Sequence, residues 1–282
     1  MIGQAERLIE LNQLRVKAKS NEKHKIIAFS SGKGGTGKTF LSLNIAYILS
    51  VKKNKVLFID LDVNLSNAHI MMNMVASKTL DDFINGGICL KELITPSFNN
   101  LHFIFGDSGK IDYSKFSPAL VENMFDQLYQ MEEYDFIIMD MGSGAGVEMI
   151  DIISNTDLNL IVISPEPTSV MDAYVILKFL KAKNYGGKSS IIINKCSGEE
   201  EGLVAYNNLS AASNHFLKEK PSLLGLVEYN SIVTKSIINQ NLLSAQNPGL
   251  KISSDIKELC SRLIEMKTSL KTNRHLANIQ HE

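Results

Sequence analysis

The stretch AFSSGKGGTGKTFLSLN, residues 28–44, satisfies two nucleotide-binding patterns at once. Gly32, Gly34 and Gly37 spell G-x-G-x-x-G, the fingerprint of dinucleotide folds, while Gly32 through Thr39 spell G-x-x-x-x-G-K-T, the phosphate loop of nucleotide hydrolases. Glycines let the backbone turn tightly and bring its N–H groups to phosphate oxygens, and a helix starting near Lys38 adds its positive end. Both patterns share that physics, so the glycines do not separate them. Lys38 and Thr39 do. A lysine there reaches the β- and γ-phosphates and a hydroxyl there ligates Mg2+, neither of which a dinucleotide site needs. A dinucleotide site also wants an acid on the ribose roughly 20 residues on, and Asp60 and Asp62 stand close enough to keep some ambiguity. The loop Gly34-Gly35-Thr36-Gly37-Lys38-Thr39 is expected to hold a nucleoside triphosphate.

Outward from the loop, apolar runs alternate with helical spacing. The runs are IIAF (26–29), VLFI (56–59), LHFIF (101–105), FIIM (136–139), LIVI (160–163) and SIIIN (190–194). Segments 39–50, 117–131, 170–183, 203–219 and 254–270 between and after them have the helical period. Unbroken apolar strands are those buried on both faces, so the expected fold is α/β: a mostly parallel central sheet with helices on both faces. Ligands in such sheets bind at the carboxyl ends of strands. The chain is expected to divide into residues 1–23, a helix over 4–18 with a polar linker; residues 24–270, the nucleotide domain; and a polar tail, 271–282.

Composition narrows the classes. A formal net charge of −1 among 282 residues argues against wrapping nucleic acid. Cys89, Cys196 and Cys260 form no C-x-x-C pair, which speaks against a zinc site, a redox couple or a disulfide framework and suits a reducing cytoplasm. The charged opening MIGQAERLIELNQLR does not read as a signal peptide, and no apolar run approaches the ~18 residues of a membrane span.

Three strand ends carry further chemistry. KVLFIDLDVNLSNAH sets Asp60 and Asp62 two residues apart, on one side of a strand, where a metal and a γ-phosphate would lie. FIIMD ends in Asp140, the usual position of a carboxylate that holds Mg2+ through water, with Gly142, Gly144 and Gly146 following. SIIINKC puts Asn194 at a third strand end, where an amide can read a purine edge.

The loop's second lysine narrows the class. Lys33-Gly34-Gly35-Thr36-Gly37-Lys38-Thr39 resembles the deviant phosphate loop of the MinD/ParA ATPases. The resemblance implies ATP and Mg2+ as cofactors, slow regulatory hydrolysis, and an ATP-bound homodimer in which Lys33 reaches the partner's nucleotide. It implies that Asp62 positions the attacking water, that Thr39, Asp60 and Asp140 serve the metal, and that Asn194 contacts adenine. Asn64 stands where the family usually has glycine. PEPTSVMDAY, from Pro165 to Tyr174, is similar to a signature of the FlhG (YlxH, FleN) group of flagellar ATPases within that family.

Members of that group carry an N-terminal D-Q-A-x-x-L-R motif that stimulates the partner GTPase FlhF. Here Gln4, Ala5 and Leu8 match, while Gly3 and Ile9 replace the aspartate and arginine, so Gln4 within residues 1–20 is the candidate activating residue. The family also implies a C-terminal amphipathic helix for reversible attachment to the inner face of the cell membrane. Residues 254–270 are the candidate for that role, with a last core-packing helix as the alternative. The alternatives are a MinD- or ParA-type cell-division or partition ATPase, an iron–sulfur carrier lacking its cysteines, and a nucleotide-binding scaffold without turnover.

Overall fold

The computed structural model describes residues 24–62, 66–107 and 116–279, with side chains to Met266. Its strands are β1 (Lys25–Ser31), β2 (Val56–Leu61), β3 (Thr95–Pro96), β4 (Leu101–Ile104), β5 (Phe136–Ser143), β6 (Leu158–Ile163), β7 (Lys188–Cys196) and β8 (Ser222–Glu228). They form one sheet in the order β3-β4-β2-β5-β1-β6-β7-β8, parallel throughout except for the short β3. The longer helices are α1 (Lys38–Val51), α2 (Pro118–Tyr129), α3 (Val147–Ile153), α4 (Pro167–Ala182), α5 (Glu199–Leu217), α6 (Ile232–Ile238) and α7 (Lys251–Ile279).

Strand alternation builds a core on each face. Ile26 and Ala28 of β1 face α2 to α5, packing with Met124, Ile150, Ile176 and Leu209. Ile27 and Phe29 point the other way, onto Leu41 and Ile45 of α1 and Ile256 and Leu259 of α7. Burying each such side chain stabilises the fold by roughly 1.5–3 kcal/mol. The central strands β5, β1 and β6 are buried along nearly their whole length. Their carboxyl ends are therefore fixed points from which site residues project.

All six apolar runs are strands. The pattern missed β8, because Gly225 interrupts its apolar run. A Cβ on Gly225 would lie 2.5 Å from Leu259 Cδ2, so the glycine admits α7 against the sheet edge. Arg262 closes the same contact by donating from Nη1 to Leu224 O at 2.6 Å.

α7 also departs from expectation. It starts before residue 254 and continues beyond 270 into the stretch read as tail. Ile256, Leu259, Cys260 and Leu263 are at most 2% exposed and pack in the core. In this conformation these four members of the apolar stripe expected to touch a membrane are spent on the fold. Among the described residues no helix is long and apolar enough to cross a membrane.

Candidate nucleotide-binding site

The loop between β1 and α1 lies at the carboxyl end of the middle of the sheet. Gly37 caps α1 with φ 89°, ψ 18° and Gly35 has φ 78°, both left-handed conformations that strain any residue with a Cβ. Gly32 is glycine for another reason. A Cβ there would sit 2.3 Å from Asp172 Cβ and 2.9 Å from that residue's carbonyl carbon, so α4 packs directly on the loop's first turn. Nothing lies within 4 Å of a Cβ built on Gly35, leaving open space before the loop. The Thr36 hydroxyl is buried with no hydrogen-bond partner.

Behind the loop Asp140 gathers three partners. Its Oδ1 lies 2.9 Å from Lys38 Nζ and accepts from Ser42 Oγ at 3.0 Å, and its Oδ2 accepts from Thr39 Oγ1 at 2.6 Å. Lys38 and Asp140 side chains are 7% and 1% exposed, so this is a buried ion pair. Ser42 went unnoticed in the sequence; its one signal is that it stands one helical turn after Thr39.

Asp60 is in register with Asp140 on the adjoining strand. Burial, and next the Asp140 charge, push its carboxyl up to about 6. Its Oδ2 accepts from Ser66 Oγ at 2.7 Å and from the Ala68 N–H at 3.1 Å, and its Oδ1 from the Asp62 N–H at 3.1 Å. Both oxygens are thus engaged in anchoring the chain that follows β2.

Asp62, just past β2, is half-buried beside the carboxyl end of β5: a Cβ on Gly142 would lie 3.8 Å from its Oδ1. The turn after β5 is tied to the loop strand, because the Gly144 N–H donates to Ser31 O at 2.9 Å. A Cβ on Gly34 would lie 3.8 Å from Ser143 Oγ, so the end of β5 is close to both Asp62 and the loop.

The two loop lysines point opposite ways. Lys38 turns inward to Asp140, whereas Lys33 is exposed, ion-paired to Glu166 and 3.4 Å from Thr168 Oγ1. The Lys33 ammonium holds the Glu166 carboxyl below the usual carboxylate range. Asn194, expected to face a purine, is 5% exposed and donates from Nδ2 to Thr36 O at 2.7 Å, bracing the loop itself. Its neighbour Lys195 donates to Gly35 O at 2.6 Å. Neither Glu166 nor Lys195 was given a role from the sequence, since neither belongs to a short motif with a known mechanism. Gln4 and Asn64 lie outside the described residues.

These residues fit a triphosphate and its metal: a glycine cradle with open space before it, an inward lysine, a buried orphan hydroxyl, and a threonine–aspartate pair suited to Mg2+.

Comparison with known proteins agrees. The family model for an AAA domain matches residues 24–193. Septum site-determining protein MinD of Buchnera aphidicola subsp. Acyrthosiphon pisum is 30% identical over 92% of this chain and 95% of its own. The chain belongs to the MinD/ParA family of P-loop ATPases. Within this family it is also similar to the flagellum site-determining protein YlxH of Helicobacter pylori, 29% identical over 85% of this chain and 82% of that one. The fold matches MinD of Pyrococcus horikoshii, solved with Mg-ADP, with TM-score 0.71 at 21% identity, covering 86% of this chain and 98% of that one. As a MinD/ParA protein the chain is an ATPase, and the dinucleotide pattern in its loop is a by-product of glycine spacing.

Proposed function

We propose that this MinD/ParA ATPase is an ATP-driven dimerisation switch regulating flagellar number and placement. The observation that carries the reading is the opposed pair of lysines in one loop: Lys38 serves the chain's own site, and Lys33 stands on the outer surface. Met171, next to the Asp172 that packs on Gly32, and Val147, in the first turn of α3, are 58% and 71% exposed. Exposed apolar side chains around a charged mouth suit a face that a second copy covers. The likeness to YlxH, a flagellum site-determining protein, supports the flagellar role.

In this reading bound MgATP supplies the transferable phosphoryl group and a negative charge that needs cations from both protomers. Lys38 turns from Asp140 to the phosphates, freeing the Asp140 carboxylate, with the Thr39 hydroxyl, for the metal. Asp62 orients the attacking water. Lys33 exchanges Glu166 for the partner's nucleotide. Lys33→Ala should then leave ADP affinity within about threefold, since the lysine is 43% exposed and its solvent-screened pairing with Glu166 contributes little. The same variant should form no ATP-dependent dimer in size-exclusion chromatography; ATP-dependent dimers of normal affinity would refute the assignment.

The N-terminal residues are proposed to stimulate FlhF through Gln4, which would orient water as glutamines do in other GTPases. A peptide of residues 1–20 should accelerate GTP hydrolysis by the cognate FlhF, and Gln4→Ala should remove the acceleration. An inert wild-type peptide would remove this partner from the account. Attachment to the inner face of the membrane, if tied to the switch, must use surface other than Ile256, Leu259 and Leu263 while they remain in the core. A second reading, a cell-division or partition ATPase, draws on the MinD identity and keeps the same site with a different partner. DNA as that partner is disfavoured by the net charge of −1.

A further inference from the structure

Seven non-glycine residues among those described have positive φ. Lys53, Asn73, Asn184, Lys218 and Gln240 follow the last turn of a helix, where a left-handed residue is ordinary, and Asn99 lies in the turn before β4. Lys195 is different: its φ of 64° falls inside β7. The β7–β8 register breaks at the same place, with Asn194 opposite Val227 and Cys196 opposite Glu228, so Lys195 is the extra residue of a bulge. A lysine gains nothing in this backbone conformation for its own sake. Bulges of this kind re-aim a side chain, and strain is retained where the surroundings impose it.

What the bulge aims at is the loop. Lys195 Nζ donates to Gly35 O at 2.6 Å, and adjoining Asn194 Nδ2 donates to Thr36 O at 2.7 Å. In a trans peptide the carbonyl and the next residue's N–H point in opposite directions. Drawing the Gly35 and Thr36 carbonyls toward β7 therefore turns the Thr36 and Gly37 N–H groups away from it, into the space where an anion is cradled.

We propose that Lys195 is a positioning residue of the phosphate loop, holding it in the form that presents its N–H groups before any nucleotide arrives. The inference rests on the reading of the loop as a nucleotide site. It adds that Lys195 acts on loop shape and so serves ADP and ATP equally, unlike Lys33.

The test uses the full chain with Lys195→Gly, which removes the ammonium and the backbone strain together, and Lys195→Arg, which keeps a donor. Titration calorimetry with Mg-ADP and with a Mg-bound non-hydrolysable ATP analogue gives affinities, and chemical denaturation gives stability. Lys195→Gly should denature at an equal or higher midpoint yet bind both nucleotides about tenfold more weakly, with Lys195→Arg within threefold of wild type. Steady-state KM should rise with kcat unchanged. Wild-type affinity in Lys195→Gly, or a loss confined to the triphosphate, would overturn the proposal. So would a fall in midpoint and affinity together that Lys195→Arg does not relieve. Failure of the wild-type chain to bind either nucleotide would instead overturn the reading of the loop.

Discussion

Lys38→Ala is expected to destabilise the nucleotide-free chain by about 3–5 kcal/mol and also to abolish nucleotide binding, two effects with one electrostatic origin. Without nucleotide, Lys38 is the cation facing Asp140, which is 1% exposed and has a second buried carboxyl, Asp60, in register beside it. Removing the ammonium leaves Asp140 buried and uncompensated, with the Thr39 and Ser42 hydroxyls as its side-chain donors among the described residues. In the proposed mechanism the same ammonium moves to the phosphates, where losing one partner of a buried charge pair costs about 2–5 kcal/mol, or roughly 30- to 4,000-fold in affinity. A double variant separates the two effects. Lys38→Ala with Asp140→Asn should recover most of the stability in urea denaturation, because the stranded charge is gone, and should still fail to bind in a fluorescent-nucleotide titration. If Lys38→Ala alone unfolds at the wild-type midpoint, the buried pair is not what stabilises the empty site.

Asp62→Ala should lower hydrolysis by 10²–10⁴-fold, the range for a positioned acid–base group, while nucleotide affinity stays within a few-fold of wild type. The separation follows from placement. Asp62 stands past β2, beside Gly142 at the end of β5, whereas the partners that gather on Asp140 are Lys38, Thr39 and Ser42. Its removal leaves the cradle intact and takes a carboxylate from the space in front of it. Phosphate release under single-turnover conditions checks the first half and equilibrium titration the second. Hydrolysis at the wild-type rate would assign the water-orienting role elsewhere.

The sheet was legible because fully buried strands leave little choice of residue: each of the six apolar runs read as a strand proved to be one. β8 escaped because the contact that fixes it, Gly225 against Leu259, joins residues distant in sequence. The same reason explains the site. Lys38, Thr39 and Asp140 were readable as local motifs, and the fold brings them together. Asp60 and Asn194 were legible as strand-end residues, but their contacts with Ser66, Ala68 and Thr36 were not, since those arise across turns no pattern describes. Lys195 was beyond reach, because its role depends on a bulge in the pairing of two strands. For α7 the periodicity was right and its meaning open; the sheet edge that takes up Ile256 and Leu259 decided it.

The clasping of two chains around nucleotide is tested most directly by the solution mass of Asp62→Ala, measured by light scattering with Mg-ADP and then with Mg-ATP. The prediction is 31.3 kDa with ADP and twice that with ATP, reverting to 31.3 kDa when Lys33→Ala is added. A single mass under every nucleotide, unchanged by Lys33→Ala, would contradict it.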